Sequence, residues 1–170
     1  SRRDRWFENY LTTTFERDLR ELADVQKLEE LSRLLRLLAT QTANLFVSAN
    51  LAGRLRISDK TVESYTRLLE TIFLIKRLPA WRPGLGAREI HAPKTHLVDT
   101  GLLAHLLGAN EQRIRADDQI TGKLFENFVT VEILKHSEWA QTRTRQYHYR
   151  DGRDEVDLVQ IVLDFRNDTV

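Results

Sequence analysis

The chain has 170 residues, of which 41% are hydrophobic and 30% are charged, with 26 Lys+Arg against 25 Asp+Glu. This balance excludes a disordered, collagenous or low-complexity chain, and a chain of this length can bury about 70% of its unfolded surface. The sequence contains no Cys, which excludes disulfides, thiolate zinc clusters and a cysteine nucleophile.

The apolar runs are far shorter than the roughly 18 residues that a membrane span requires. We expect neither a membrane partner nor a signal peptide, and we expect a cytoplasmic location. The sequence begins at Ser1 and has no Met, so we expect a piece of a longer polypeptide.

Charge is distributed unevenly along the chain. Residues 1–30, 31–95 and 96–170 carry net charges of −2, +7 and −4. A basic middle between acidic flanks is the kind of electrostatic footprint that binds phosphate. The alternative is that basic residues pair with acidic ones from the other segments.

Apolar residues at three- and four-residue steps predict helices over residues 4–23 and 26–42. Ser48 is the predicted N-cap of a short helix that ends at Leu55. Ser58 is the predicted N-cap of a longer helix that continues through Ile72. Only Arg56 and Ile57 lie between them. So short a connection predicts two steeply crossing helices, as in a helix-turn-helix.

The next segment predicts a wing. Ile72–Leu78 and Thr95–Val98 have strand composition, and the turn formers of residues 82–86 lie between them. Three helices followed by a hairpin predict a winged helix.

The last third of the chain predicts part of an α/β domain. A short helix over residues 102–107 is followed by a polar loop and by a helix over residues 122–136. Strands at residues 146–149 and 155–163 are joined through Asp151-Gly152. Asp99 or Thr100 is the predicted N-cap of the short helix. The residues predicted on the core side of the long helix are Leu124, Phe125, Phe128, Val131 and Leu134.

One face of the fourth predicted helix carries candidate DNA-binding residues. Lys60, Thr61, Ser64 and Arg67 lie away from its apolar side, and Arg82 and Arg88 lie on the wing, where phosphates would be contacted. Glu63 and Glu70 on the same helix would repel phosphate. They favour the alternative, in which the winged helix docks a protein.

Glu126 on the late helix and Asp157 on the last strand are candidate acidic residues for chemistry. Two carboxylates on a packed helix and strand can hold Mg²⁺ for phosphodiester hydrolysis, but a third ligand and usually a Lys are also needed. Residues 158–170 contain neither Glu nor Lys. We therefore expect no complete catalytic site and, without metal, mutual repulsion of the two carboxylates. The alternative is that they pair with Arg150 or Arg153.

The sequence lacks a phosphate-loop motif, and its histidines show no metal-binding pattern. No Gly-x-x-x-x-Gly-Lys-Ser/Thr occurs, which excludes an ATP phosphate loop of this type in the chain. The five histidines show no metal spacing, and we expect surface or structural roles for them.

These motifs, in this order, resemble the C-terminal domain of unknown function of predicted AAA+ superfamily ATPases of bacteria and archaea. The resemblance spans Trp6 to about Val159 and is carried by Trp6–Leu11, Glu16–Arg20, Leu35–Ala39, Leu51-Ala52, Ser58, Thr61-Val62, Tyr65, Leu68–Glu70, Leu78-Pro79, Pro93-Lys94, Asp99–Leu103, Phe125–Val129 and Glu155–Val159.

The resemblance implies an upstream ATPase core, then a winged helix and a restriction-endonuclease-like region. It places the family's helix acid at Glu126 and its strand acid at Asp157, while the later Glu-x-Lys strand has no counterpart here. ATP and Mg²⁺ are therefore implied only for the full-length protein, and no cofactor is expected in this chain.

The resulting hypothesis has three parts. We expect an α+β, mainly helical fold with a packing helix at residues 1–25 that leads from the ATPase core, a winged helix at 26–99 and a partial nuclease-like α/β module at 100–170. The expected function is that of a non-catalytic, DNA-binding or regulatory module. The alternatives are a protein-interaction or oligomerisation module for the ATPase, including self-association, and part of a metal-dependent nuclease in the intact protein.

Overall fold

The computed structural model describes residues 2–18, 25–82, 92–152 and 154–163. Within these ranges the chain is mainly helical, with seven helices and two antiparallel hairpins, so the predicted α+β class is confirmed. The helices are α1 (Arg2–Asp18), α2 (Val25–Thr40), α3 (Ser48–Leu55), α4 (Asp59–Thr71), α5 (Thr100–Leu106), α6 (Glu111–Ala116) and α7 (Asp118–Trp139). The strands are β1 (Ile75–Leu78), β2 (Lys94–Leu97), β3 (Thr144–Asp151) and β4 (Asp154–Val162).

Helices α2, α3 and α4 pack together and lead into the first hairpin, which is the element order of a winged helix. Arg56 adopts a left-handed conformation (φ 58°) that ends α3, and the Ser58 hydroxyl then accepts from the Thr61 amide at 3.1 Å, which caps α4 as predicted. The core of this unit is formed by apolar side chains that include Leu31, Leu34, Leu51, Val62, Leu69, Ile75 and Leu97.

Strand β2 lies in the interior, with all four residues buried. It pairs with β1 on one side, with Ile75 opposite Leu97. On its other side, backbone groups of residues 43–46 bond to Pro93 and Thr95. This central position brings a strand of the wing next to the C-terminal half of the chain.

The second half is built around α7, which is capped by Asp117. The β3–β4 hairpin turns at Gly152 (φ 58°), as the Asp-Gly pair predicts, with Thr144 opposite Val162. Asn127 of α7 joins this half to β2. Its amide group donates to the Leu97 carbonyl and accepts from the Leu97 amide, both at 3.0 Å, and it also accepts from the Thr42 hydroxyl at 2.9 Å.

Three local predictions were wrong. The polar loop after residue 108 contains helix α6, whose N-terminus is capped by the Asn110 side chain. Val47, not Ser48, is the N-cap of α3. Phe125 and Phe128 are 67% and 51% exposed, because the buried stripe of α7 is centred on Ile120, Asn127 and Val131, which leaves Phe128 at its edge and Phe125 on the far side of the helix.

Some predictions lie outside the described residues: the end of the first helix at residues 19–23, and the turn at residues 83–86. In the part of the chain that is described, no helix is both long and apolar enough to cross a membrane.

Candidate functional site

The exposed face of α4, here called the α4 face, comprises Lys60, Ser64 and Arg67, with Thr61 half-buried at its edge. The opposite side of the helix buries Val62, Tyr65, Thr66 and Leu69 against α2 and α3. The structure therefore places the four helix residues singled out as DNA-binding candidates together at the surface.

Two of the three acidic residues of α4, Glu63 and Glu70, are turned toward the wing, whereas Asp59 is exposed in the first turn of the helix. Arg77 of β1 contacts Glu63 at 2.9 Å through Nη1 and Glu70 at 2.7 Å through Nη2, and its Nε donates to Glu70 at 3.0 Å. Burial lowers the pKa of the Arg77 guanidinium, but the hydrogen bonds to Glu70 and Glu63 outweigh it and raise the pKa. One guanidinium balances one of the two carboxylate charges, and it holds both side chains toward β1 although Glu63 lies beside the α4 face, three residues after Lys60 and four before Arg67.

Arg82, the wing candidate, lies against the second hairpin. Its guanidinium donates to the Arg150 carbonyl, lies 3.7 Å from the Asp151 carboxylate and covers the Tyr149 ring with its Cζ 5.6 Å from the centroid. Arg88, the other wing candidate, lies outside the described residues.

Lys94, at the start of β2, forms a second candidate site, here called the Lys94 cluster. Its ammonium lies 2.7 Å from Asp157, 2.8 Å from Glu155 and 2.9 Å from Glu126, and its side chain is 2% exposed. Helix α7 supplies Glu126, and strand β4 supplies the other two carboxylates. The structure therefore does bring Glu126 and Asp157 together, but around a lysine.

The charged groups of the Lys94 cluster shift one another's pKa values. Burial lowers the pKa of the Lys94 ammonium, but hydrogen bonds to Asp157, Glu155 and Glu126 outweigh it and raise the pKa. Burial raises the pKa of Glu126 despite Lys94, whereas for Asp157 the contact with Lys94 overcomes burial and lowers the pKa. Asp157 also contributes to the raised pKa of Glu126, so the expected repulsion of the two carboxylates is present, but the cation between them offsets it.

Two buried histidines adjoin the cluster. His96 follows Lys94 by two residues on β2 and is 0% exposed, and burial, followed by the charge of Lys94, lowers its pKa to about 4. His148 of β3 is held at Nε2 by the Ala92 carbonyl at 3.1 Å, and burial lowers its pKa. Both imidazoles are therefore neutral near pH 7. A neutral, buried imidazole fits the structural role expected for these histidines.

The Lys94 cluster as arranged does not fit a divalent cation. Its three carboxylates all point to the lysine nitrogen, which occupies the space where a metal would lie. Among the described residues no group of three or more His, Asp or Glu could hold a metal ion.

Lys94 and Glu155 were not among the candidates from the sequence. Lys94 lies 32 residues before Glu126 and 63 before Asp157, so no local pattern links them. Glu155 precedes Asp157 by two residues and was quoted only as part of a motif. Because side chains alternate along a strand, Glu155 and Asp157 lie on the same face of β4, and this spacing could have predicted that Glu155 joins the cluster. The predicted alternative partner Arg150 is not the partner found, and Arg153 lies outside the described residues.

Comparison with known proteins places these residues in two matched segments. Residues 1–113 match a family model described as a domain of unknown function, DUF8612. The chain belongs to this family. Residues 121–164 match a second domain of unknown function, DUF4143. The α4 face and Lys94 lie in the DUF8612 segment and the three carboxylates in the DUF4143 segment, so the Lys94 cluster joins the two.

The chain is also similar to two mycobacterial proteins, "Uncharacterized protein Rv2008c" of Mycobacterium tuberculosis and "Uncharacterized protein Mb2031c" of Mycobacterium bovis. Each is 30% identical over 128 residues. The matched region is 75% of this chain but 29% of each relative, so the DUF8612 chain spans less than a third of their length. No solved structure matches.

Proposed function

We propose that this chain is the non-catalytic, winged-helix portion of a larger AAA+ type ATPase, and that its α4 face binds duplex DNA. The observation that carries the proposal is the contact of Arg77 with the glutamates of α4, beside exposed basic side chains. Lys60 and Arg67 face solvent, while Arg77 binds the neighbouring Glu63 and Glu70 and offsets part of their negative charge. The acidic residues that argued against phosphate binding are thereby held toward the wing, and part of their charge is compensated.

The ATPase part of the proposal has separate support. The ordered motifs resemble those that follow an ATPase core in the AAA+ family, and both mycobacterial relatives are much longer than this chain. An ATP-driven motor that engages DNA would use such a module to hold or regulate its substrate.

Binding should be measured by fluorescence anisotropy of a short labelled duplex at two salt concentrations. A lone winged helix that reads mainly phosphates should bind weakly and without sequence preference. The logarithm of affinity should fall with the logarithm of salt by about 0.9 for each phosphate contacted. The Lys60→Ala/Arg67→Ala variant should bind about tenfold more weakly and reduce the salt slope by about 1 to 2.

A matched control is Lys135→Ala/Arg115→Ala, which removes the same two charges from surface helices where each is paired with a carboxylate. This control should leave the salt slope unchanged. If the parent chain does not bind duplex at low salt, or if both double variants lose affinity equally, DNA binding by the α4 face is wrong.

Protein docking is the other outcome of the same series. If Arg67→Glu leaves duplex binding unchanged but shifts the mass of the chain in sedimentation, then the α4 face contacts a second copy. Such a result would replace the DNA proposal.

The non-catalytic part of the proposal rests on Lys94. With an ammonium between Glu126, Glu155 and Asp157, the cluster has the arrangement of a structural ion-pair network. Incubation of the chain with supercoiled plasmid and Mg²⁺ or Mn²⁺ should give no nicking. Nicking that disappears in Asp157→Asn would overturn this assignment and favour a nuclease.

A further inference from the structure

Helices α2 and α3 share a shallow depression that none of the sites above uses. Its rim carries the exposed guanidinium groups of Arg33 and Arg36 on α2 and of Arg54 in the last turn of α3. Leu37, Leu55 and Thr40 complete the lining. We call this group of three arginines the α2–α3 patch.

The three arginines have no acidic partner in the part of the chain that the structure describes. Arg33 and Arg36 are one turn apart on the same helix, where like charges destabilise a helix. Arg54 adds a third positive charge from the neighbouring helix. An anion in the depression would relieve this repulsion.

A fourth cation lies at the edge of the patch. Lys123 of α7 donates to the Thr40 carbonyl at 2.7 Å, at the C-terminus of α2. The Thr40 hydroxyl donates its one proton to the Leu37 carbonyl at 2.7 Å, so it has no donor left for an anion. The three arginines therefore supply the hydrogen-bond donors of the patch, and Lys123 adds a positive charge at its edge.

The chemistry of arginine indicates the ligand. A guanidinium is planar and presents paired N–H donors that match the oxygens of a phosphate, and it is less strongly hydrated than an ammonium. We infer that the α2–α3 patch is a phosphate-binding site that takes either the backbone of a nucleic acid or a small phosphate compound. It lies on helices other than α4 and does not depend on the proposed function of the α4 face.

The test compares Arg33→Gln/Arg36→Gln/Arg54→Gln with Arg2→Gln/Arg5→Gln/Arg115→Gln, which removes three exposed arginines elsewhere. Both variants carry the same net charge, and circular dichroism should show the helix content of the parent chain for each. Two probes are used separately: inorganic triphosphate by calorimetry, and a short duplex by anisotropy at several salt concentrations.

The site is supported if the patch variant loses at least tenfold in affinity for one probe while the control does not. Loss of triphosphate binding with an unchanged duplex salt slope assigns the site to small phosphate compounds. A fall of the duplex slope by about 1 to 3 assigns it to the nucleic-acid backbone. Arg33→Lys/Arg36→Lys/Arg54→Lys keeps the charge and should restore only part of the affinity.

The inference is overturned if the patch and control variants bind both probes equally. It is also overturned if the lysine variant binds as tightly as the parent, because charge alone would then account for binding. The α4 face is intact in all these variants, so failure here and failure of the proposed function are distinguishable.

Discussion

Lys94 is a buried ammonium whose three contacts are all carboxylates. Removing the cation would leave Glu126, Glu155 and Asp157 facing one another without compensation, which is costly in a partly desolvated site. We expect Lys94→Met to lower the free energy of unfolding by about 3 to 5 kcal/mol, measured by urea denaturation.

A neutral version of the same cluster is the control. Lys94→Met combined with Glu126→Gln, Glu155→Gln and Asp157→Asn should recover a large part of the loss, since no charge is left unpaired. Asp157→Asn alone should cost about 1 kcal/mol, because Asp157 is half-exposed and two partners of Lys94 remain. A Lys94→Met protein as stable as the parent would show that the cluster does not hold the fold together.

Asn127 is a buried polar residue whose amide group substitutes for a neighbouring strand along β2. Asn127→Ala should destabilise the chain by about 3 to 5 kcal/mol, because Leu97 and Thr42 would lose hydrogen bonds inside the protein. The matched control is the adjacent Phe128→Ala, which should cost less than about 1 kcal/mol because Phe128 is half-exposed. The reverse order in thermal melts would mean that α7 packs through its phenylalanines.

His96 makes stability depend on pH. Its pKa is about 4 in the folded chain, against about 6.5 in an unfolded one. Between these values the unfolded state binds a proton that the folded state does not. This contribution to stability is therefore complete above pH 6.5 and is lost as the pH falls toward 4.

We expect His96 to account for a loss of about 2 kcal/mol between pH 7 and pH 5. His96→Gln should remove that part of the slope in urea denaturation, whatever its own cost at pH 7. His136→Gln, at an exposed position of α7, is the matched control for the loss of an imidazole. A His96→Gln slope equal to that of the parent would contradict the buried neutral imidazole.

At the scale of the element, α4 depends on Arg77 of β1 for both stability and surface charge. Arg77→Met would leave Glu63 and Glu70 without their cation, and both are part-buried. We expect a loss of about 1 to 3 kcal/mol in unfolding free energy. We also expect weaker duplex binding, because the freed carboxylates add negative charge next to the α4 face. Arg77→Met with Glu63→Gln and Glu70→Gln should restore the binding but not the full stability.

Most elements could be predicted from the sequence because their signals are local. The Ser58 cap, the Asp151-Gly152 turn and the period of α2 each depend on neighbouring residues. Helix α6 was missed because it is short and has no buried residue. The face of α7 was misassigned because its buried stripe includes the polar Asn127 and Thr130 in place of Phe125 and Phe128.

The two candidate sites also differ in how far local sequence signals predict them. The α4 face could be predicted because a single helical period places its residues, whereas the pairing of the adjacent Glu63 and Glu70 depends on Arg77 from the next strand. The Lys94 cluster could be predicted only in part. Two of its carboxylates were recognised, but the lysine comes from the wing, and the sequence carries no sign of that contact.

At the scale of the whole molecule, backbone hydrogen bonds connect the segment after β1 to the second hairpin. Ala80 pairs with His148 as a bridge, the His148 amide donates to the Pro79 carbonyl at 2.9 Å, and the Trp81 amide donates to the His148 carbonyl at 2.6 Å. With the Lys94 cluster and Asn127, these contacts tie the two segments that separate family models match. The interior of the first segment therefore depends on groups from the second.

We accordingly expect residues 1–116 alone to lack a cooperative thermal transition, although they contain the whole winged helix. Without α7 and β4, Leu97 and Thr42 would lose Asn127, Lys94 would lose its carboxylates, and the surface that α7 covers would be exposed to water, which a unit of this size is too marginally stable to tolerate. Circular dichroism melts of residues 1–116, residues 117–170 and their equimolar mixture provide the measurement. The mixture should regain a transition that neither fragment shows. A cooperative melt of residues 1–116 at the temperature of the whole chain would mean that the winged helix folds independently and that the Lys94 cluster forms only after it has folded.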